Sequence, residues 1–178
     1  SFNANKILTC GGGGAIISKN INIIKQTDYL SSQAKENTLY YLHKKIGYNY
    51  RFNNLFASIG LGQIDSFEKK YKTYKKNFLK YSLITKKFHN INLFENEIKN
   101  TKWNYWQIVI FFDKKILLKK NITNIIKLFN DHNIQVRNVW KPIHTQPIYS
   151  KEKIYSTKNS EYFFKSSLCF PNSLYLDK

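Results

Sequence analysis

Apolar residues recur at Ile64, Phe67, Tyr71, Tyr74, Phe78 and Tyr81, in steps of three and four, with lysines between them. That period is helical: the apolar stripe faces a core and the lysines face water. Asn53 or Asn54 offers an N-cap, so the pattern predicts one long helix from there onward. Gly60 and Gly62 fall in its first part. Glycine inside a helix costs about 1 kcal/mol against alanine, so close packing against a neighbour is the expected reason for them.

The rest of the chain reads as alternating short elements. Residues 15–18 predict a strand, Lys19 and Asn20 a turn, and residues 21–24 a continuation of the strand. Asp28 is expected to cap a short helix running through Ala34, and residues 35–50 are expected to be mostly loop. After a linker at 86–90, residues 92–94 and 106–112 read as strands. The second is apolar enough to lie centrally in a sheet. Residues 123–132 predict a helix with Ile125, Ile126 and Phe129 inward, and 134–139 a strand. Pro142 and Pro147 then break the chain into loop. Residues 159–167 predict a helix, with Cys169 and Phe170 extended before Pro171. Strands alternating with helices indicate an α/β or α+β domain.

Composition narrows the class. A chain of 178 residues is one domain or part of a larger one. With 42% hydrophobic and 16% aromatic residues it can build a core. No stretch approaches the roughly 20 apolar residues of a membrane span. Ser1 opens into a motif rather than a charged and apolar leader, so no secretory signal is read. The formal net charge of +18 raises nucleic-acid binding. The lysines are spread over the whole length among many Asn and Ile residues, however, as A+T-rich codon usage would impose. Cys10 and Cys169 form no CxxC pair and fit a reducing compartment. The four histidines, His43, His89, His132 and His144, show no metal-ligand spacing.

The candidate chemistry lies in residues 1–14, SFNANKILTCGGGG. Lys6 sits between Asn5 and the apolar Ile7-Leu8. A lysine partly desolvated there becomes nucleophilic and can form a Schiff base with an aldehyde cofactor; the same residue can equally be a solvated charge. The glycine run matches neither a dinucleotide fingerprint nor a P-loop. It reads as a turn into a strand or as a backbone close to phosphate.

Four ordered blocks carry a resemblance. SFN-x-NK-I-x-T-x-GGGG, GYNYRFNNLFASIGLGQID (residues 47–65), VRNVWKPIHTQPIY (136–149) and SLCFPNS (167–173) resemble the DegT/StrS family of sugar aminotransferases. The closest branch acts on nucleotide-linked 4-keto-6-deoxy sugars. The resemblance implies an α/β fold, the C-terminal part of a fold-type I pyridoxal-phosphate transferase. Residues 1–66 would end the large cofactor domain, and 67–178 would form the small α/β domain. It implies that Lys6 binds pyridoxal 5'-phosphate and moves the proton in transamination, and that Ser1 binds the cofactor phosphate. Asn49 would reach the phosphate of the neighbouring subunit in a homodimer. Arg51 would meet nucleotide phosphate, and His144 would line the sugar-nucleotide pocket. A bare terminal serine, a solvated arginine and a loop-bonding histidine are the plain alternatives.

The function so implied is transfer of an amino group, usually from glutamate, to a keto sugar nucleotide for surface polysaccharide or glycan synthesis in the cytoplasm. A non-catalytic remnant or interaction module is the rival, and a basic nucleic-acid binder ranks third. In the family the acidic partner of the pyridine nitrogen lies upstream of the lysine, whereas only five residues precede Lys6 here and none is acidic. The 178-residue chain is therefore expected to be inactive by itself, with residues 67–178 folding better than residues 1–50.

Overall fold

The computed structural model describes residues 1–95, 98–119, 121–155 and 157–176. The chain divides into two compact units, Ser1–Lys69 and Lys70–Lys178.

In the first unit, a closed loop over residues 1–14 precedes helix α1 (Ile21–Ser31) and helix α2 (Asn54–Ile64). Residues 15–18 do not form the expected strand. Ile16 is 61% exposed and Ile17 95% exposed. A strand exists only through a ladder, and pairing among the described residues of this unit is limited to isolated bridges. Residues 21–24 are the first turn of α1, not a continuation of a strand. Asn20 is its N-cap: the side chain accepts from the Asn22 N–H at 3.0 Å, satisfying a donor that an extended segment would leave to a ladder. Asp28 lies inside α1 and caps nothing at its start. Its carbonyl takes both the N–H (3.1 Å) and the hydroxyl (2.7 Å) of Ser32, which closes the helix end. Residues 32–50 return beside that end as loop, held by Tyr48 N–H to Leu30 C=O (2.7 Å) and Tyr50 N–H to Ser31 C=O (2.9 Å).

The cap at Asn53 forms as its sequence indicates, accepting from the Phe56 N–H at 2.9 Å. The single long helix does not. The chain breaks at Asp65-Ser66 and resumes as α3 (Phe67–Thr85). The Ser66 hydroxyl donates to the Gln63 carbonyl at 3.0 Å, using the acceptor that a continuing helix would offer to backbone.

The second unit is a four-stranded antiparallel sheet with helices. β1 (Ile91–Leu93), β2 (Ile108–Phe112), β3 (Arg137–Asn138) and β4 (Ser167–Phe170) stand in the order β1-β2-β4-β3. β2 is central, as its apolar run predicts. Ile110 faces Leu168 across the β2–β4 pair. Ile108, Ile110 and Phe112 point to one face, where Phe78 of α3, Val136 and Leu168 complete a core. Burial of each such side chain contributes about 1.5–3 kcal/mol. Ile125 of α5 (Ile122–Asp131) joins them, with Ile126 and Phe129 packed against the cluster. A short helix unforeseen in the sequence, α4 (Lys114–Lys119), precedes α5, and α6 (Lys158–Ser166) leads directly into β4. The strand expected over 134–139 shrinks to two residues. Ile134 N–H returns to the Phe129 carbonyl (2.9 Å), so the start of that segment serves as the exit of α5.

Candidate active site

Residues 1–14 close on themselves. Phe2 N–H donates to Gly13 C=O and Cys10 N–H to Phe2 C=O, both at 2.9 Å, with an Asn3–Gly11 bridge between. Lys6 sits at the tip of this loop, half-buried, its N–H on the Asn3 carbonyl at 3.0 Å. The Ser1 hydroxyl accepts weakly from the Asn3 N–H at 3.4 Å. Ser1 and Lys6 are thus joined through Asn3 in one small structure.

What pins the loop is the second sequence block. The Phe2 and Phe52 rings lie 6.0 Å apart, and Phe52 and Phe56 6.1 Å apart. Gly13 has φ +84°, and a Cβ there would fall 2.6 Å from the Phe52 ring, so glycine is required twice over. The glycine run therefore is a turn, wedged against Phe52 and Phe56, but it opens into no strand.

Asn49 and Arg51 lie on the exposed segment between the α1 return and α2. Asn49 bridges Ser32. Arg51 Nη1 donates to the Asp28 carboxylate, an ion pair the sequence reading missed. Asp28 and Arg51 are 23 residues apart, and no local spacing signals the contact.

His144 belongs to the second unit, in the single turn Ile143–Thr145 that follows buried Pro142. Its Nε2 lies 3.1 Å from Glu161 Oε1, in the first turn of α6. Thr157 Oγ1 donates to the same oxygen at 3.3 Å, and Lys165 Nζ is 3.8 Å from Oε2. The His144 hydrogen bond holds the Glu161 carboxyl below the usual glutamate range, with Thr157 and Lys165 assisting against partial desolvation. Glu161 also went unnoticed in the sequence. Its i,i+4 spacing to Lys165 was legible, but that pattern marks an exposed helix face and points to no histidine.

The Lys6 amine and the Ser1 hydroxyl, joined through Asn3, are groups that could hold an aldehyde cofactor bearing a phosphate. The DegT/DnrJ/EryC1/StrS aminotransferase family model matches residues 1–178, and the chain belongs to this family. EpsN of Bacillus subtilis (strain 168), assigned as a pyridoxal phosphate-dependent aminotransferase, is 30% identical over 176 residues, covering 97% of this chain and 44% of EpsN. GDP-perosamine synthase of Escherichia coli O157:H7 is 27% identical over 152 residues, 85% of this chain and 40% of that enzyme. Among solved structures, Helicobacter pylori PseC, an aminotransferase involved in pseudoaminic acid biosynthesis, superposes with a TM-score of 0.83 at 22% identity, over 97% of this chain and 46% of PseC. The mixed α/β fold is that of part of a fold-type I transferase. The chain spans under half the length of these relatives. Among the described residues no helix is long and apolar enough to cross a membrane.

Proposed function

We propose that this chain is part of a pyridoxal phosphate-dependent aminotransferase. The enzyme moves an amino group, with glutamate as donor, to the keto carbon of a nucleotide-linked sugar in the cytoplasm, for surface polysaccharide or glycan synthesis. One observation carries the reading: Lys6 is held half-buried at the tip of a loop that the Phe52–Phe56 segment locks in place.

Pyridoxal phosphate, when bound, supplies an electron sink for the bond broken at the amino carbon. Lys6 would hold the cofactor through Nζ and would carry the transferred proton on that same atom. Arginine could not replace it, since a guanidinium stays protonated. The Ser1 hydroxyl donates to the cofactor phosphate. Asn49 would donate through its amide to the phosphate in the neighbouring subunit of a homodimer. Arg51 uses one N–H on Asp28 and has further donors in its planar fork for a nucleotide phosphate. His144 lines the sugar-nucleotide pocket. In this reading residues 1–66 end the large cofactor domain and 67–178 form the small domain.

The experiment is borohydride reduction of the full-length protein with pyridoxal phosphate, followed by peptide mapping. The cofactor is expected on Lys6, and Lys6→Ala is expected to remove both the label and transamination from glutamate. A label on another lysine overturns the assignment. A full-length protein with neither label nor turnover is the non-catalytic remnant.

A further inference from the structure

Glu161 receives three groups. Its Oε1 lies within hydrogen-bond distance of both His144 Nε2 (3.1 Å) and Thr157 Oγ1 (3.3 Å), and Lys165 stands 3.8 Å from Oε2. An ionised carboxylate is an acceptor only, so the His144 nitrogen facing it must carry the proton. The other ring nitrogen, Nδ1, then holds the lone pair in neutral imidazole and has no hydrogen-bond partner among the described residues. The ring has little freedom to turn away, since the His144 side chain is 16% exposed and its short helical turn is closed by Thr145 N–H to Pro142 C=O at 3.0 Å.

We propose that Glu161 is a positioning residue that acts through His144. It fixes the proton on Nε2 and leaves Nδ1 as a hydrogen-bond acceptor for a hydroxyl of the nucleotide-sugar substrate. The inference rests on the reading of His144 as a residue of the sugar-nucleotide pocket and narrows it. A lone pair cannot bond a phosphate oxygen, which also only accepts. With the ring neutral, His144 therefore recognises a sugar or ribose hydroxyl, and phosphate recognition falls to other groups. The arrangement parallels metal-free and metal sites alike in which the outer bond of an imidazole sets its tautomer and aim.

The test has two readouts. The first is the tautomer of His144, read at neutral pH from long-range 15N–1H correlations of the imidazole in the full-length protein. The wild type is expected to carry the proton on Nε2. Glu161→Ala is expected to give a mixture of tautomers, and Glu161→Gln, which keeps an acceptor oxygen, to restore Nε2–H. A change that merely loosened α6 would not be rescued in this way. The second is affinity of the full-length protein for GDP-, UDP- and dTDP-linked glucose, tried in turn, with the tightest carried forward, and for inorganic pyrophosphate. His144→Ala should weaken the sugar nucleotide about tenfold, as for one lost hydrogen bond, Glu161→Ala by less, in proportion to the Nε2–H fraction it loses, and the double variant no more than His144→Ala alone. Pyrophosphate affinity should not move. A wild-type proton on Nδ1, or a tautomer indifferent to Glu161→Ala, overturns the inference. So does sugar-nucleotide affinity unchanged in both variants, or a loss shared equally by pyrophosphate. Failure of the functional reading looks different: it is the absence of pyridoxal phosphate from Lys6, whatever the His144 tautomer.

Discussion

Gly60 of α2 packs so closely on Cys10 that a Cβ at position 60 would lie 2.7 Å from the Cys10 sulfur. Cys10 is 3% exposed and has little room to retreat. The contact joins the lysine loop to the second block of the family resemblance, and it explains a glycine that helix propensity alone disfavours. Gly62, two residues on, meets nothing within 4 Å.

The two glycines should therefore respond oppositely to the same change. Gly60→Ala gains about 1 kcal/mol of helix propensity but incurs about 1–3 kcal/mol of overpacking, for a net loss. Gly62→Ala meets no obstacle and should gain up to about 1 kcal/mol. Amide hydrogen exchange in α2 measures both. Equal shifts of the same sign would show that the Cys10 contact is not what selects glycine at position 60.

The Arg51–Asp28 pair is expected to matter for binding and little for folding. Its side chains are 61% and 57% exposed, and such pairs contribute about 0–1 kcal/mol, less in salt. Asp28→Asn should leave the denaturation midpoint nearly unchanged. Arg51→Ala should weaken sugar-nucleotide binding by about 1.5–3 kcal/mol, the range for a hydrogen bond to a charged group. A calorimetric titration that finds full affinity in Arg51→Ala removes Arg51 from the substrate site.

In the second unit, the SLCFPNS block ends in a buried polar knot. Asn77 of α3, 2% exposed, donates to Asn172 Oδ1 and to the Ser173 carbonyl, both at 2.8 Å, while Asn172 Nδ2 donates to the Tyr105 carbonyl at 2.7 Å. Asn77→Ala leaves these acceptors unmatched and should cost about 2–3 kcal/mol. Ser167 offers the contrast. Its hydroxyl is buried with no partner among the described residues, so Ser167→Ala should be neutral or stabilising by up to about 1 kcal/mol. Urea unfolding followed by tryptophan fluorescence reports on this unit, because Trp103, Trp106 and Trp140 all lie in it.

The Glu161 carboxyl, held below the usual glutamate range chiefly by His144, makes stability pH-dependent in a defined direction. A depressed folded value means that the contribution is present above the unfolded glutamate value and is lost as pH falls through the folded one. The stability difference between wild type and Glu161→Gln should thus be full near neutrality and vanish in the acid limb. A difference that persisted unchanged into that limb would show that ionised Glu161 is not its source.

Several features were settled by residues within a few positions of one another. The three-and-four spacing from Phe67 to Tyr81 suffices for α3, the Asn53 amide for the start of α2, and the run Ile108–Phe112 for a central strand. Period, cap and apolar run act over one or two turns of chain, so the sequence alone carries them. The motif residues were legible in the same way, as an ordered set of short blocks. Tertiary structure decided the rest. Asp28 found Arg51 across 23 residues, Glu161 found His144 across 17, and Asn77 found Asn172 across 95. Such contacts depend on where the chain returns after its turns. No local preference encodes that return, because a carboxylate or an amide suits a cap, a solvated face and a buried partner equally well until the fold brings one of them near.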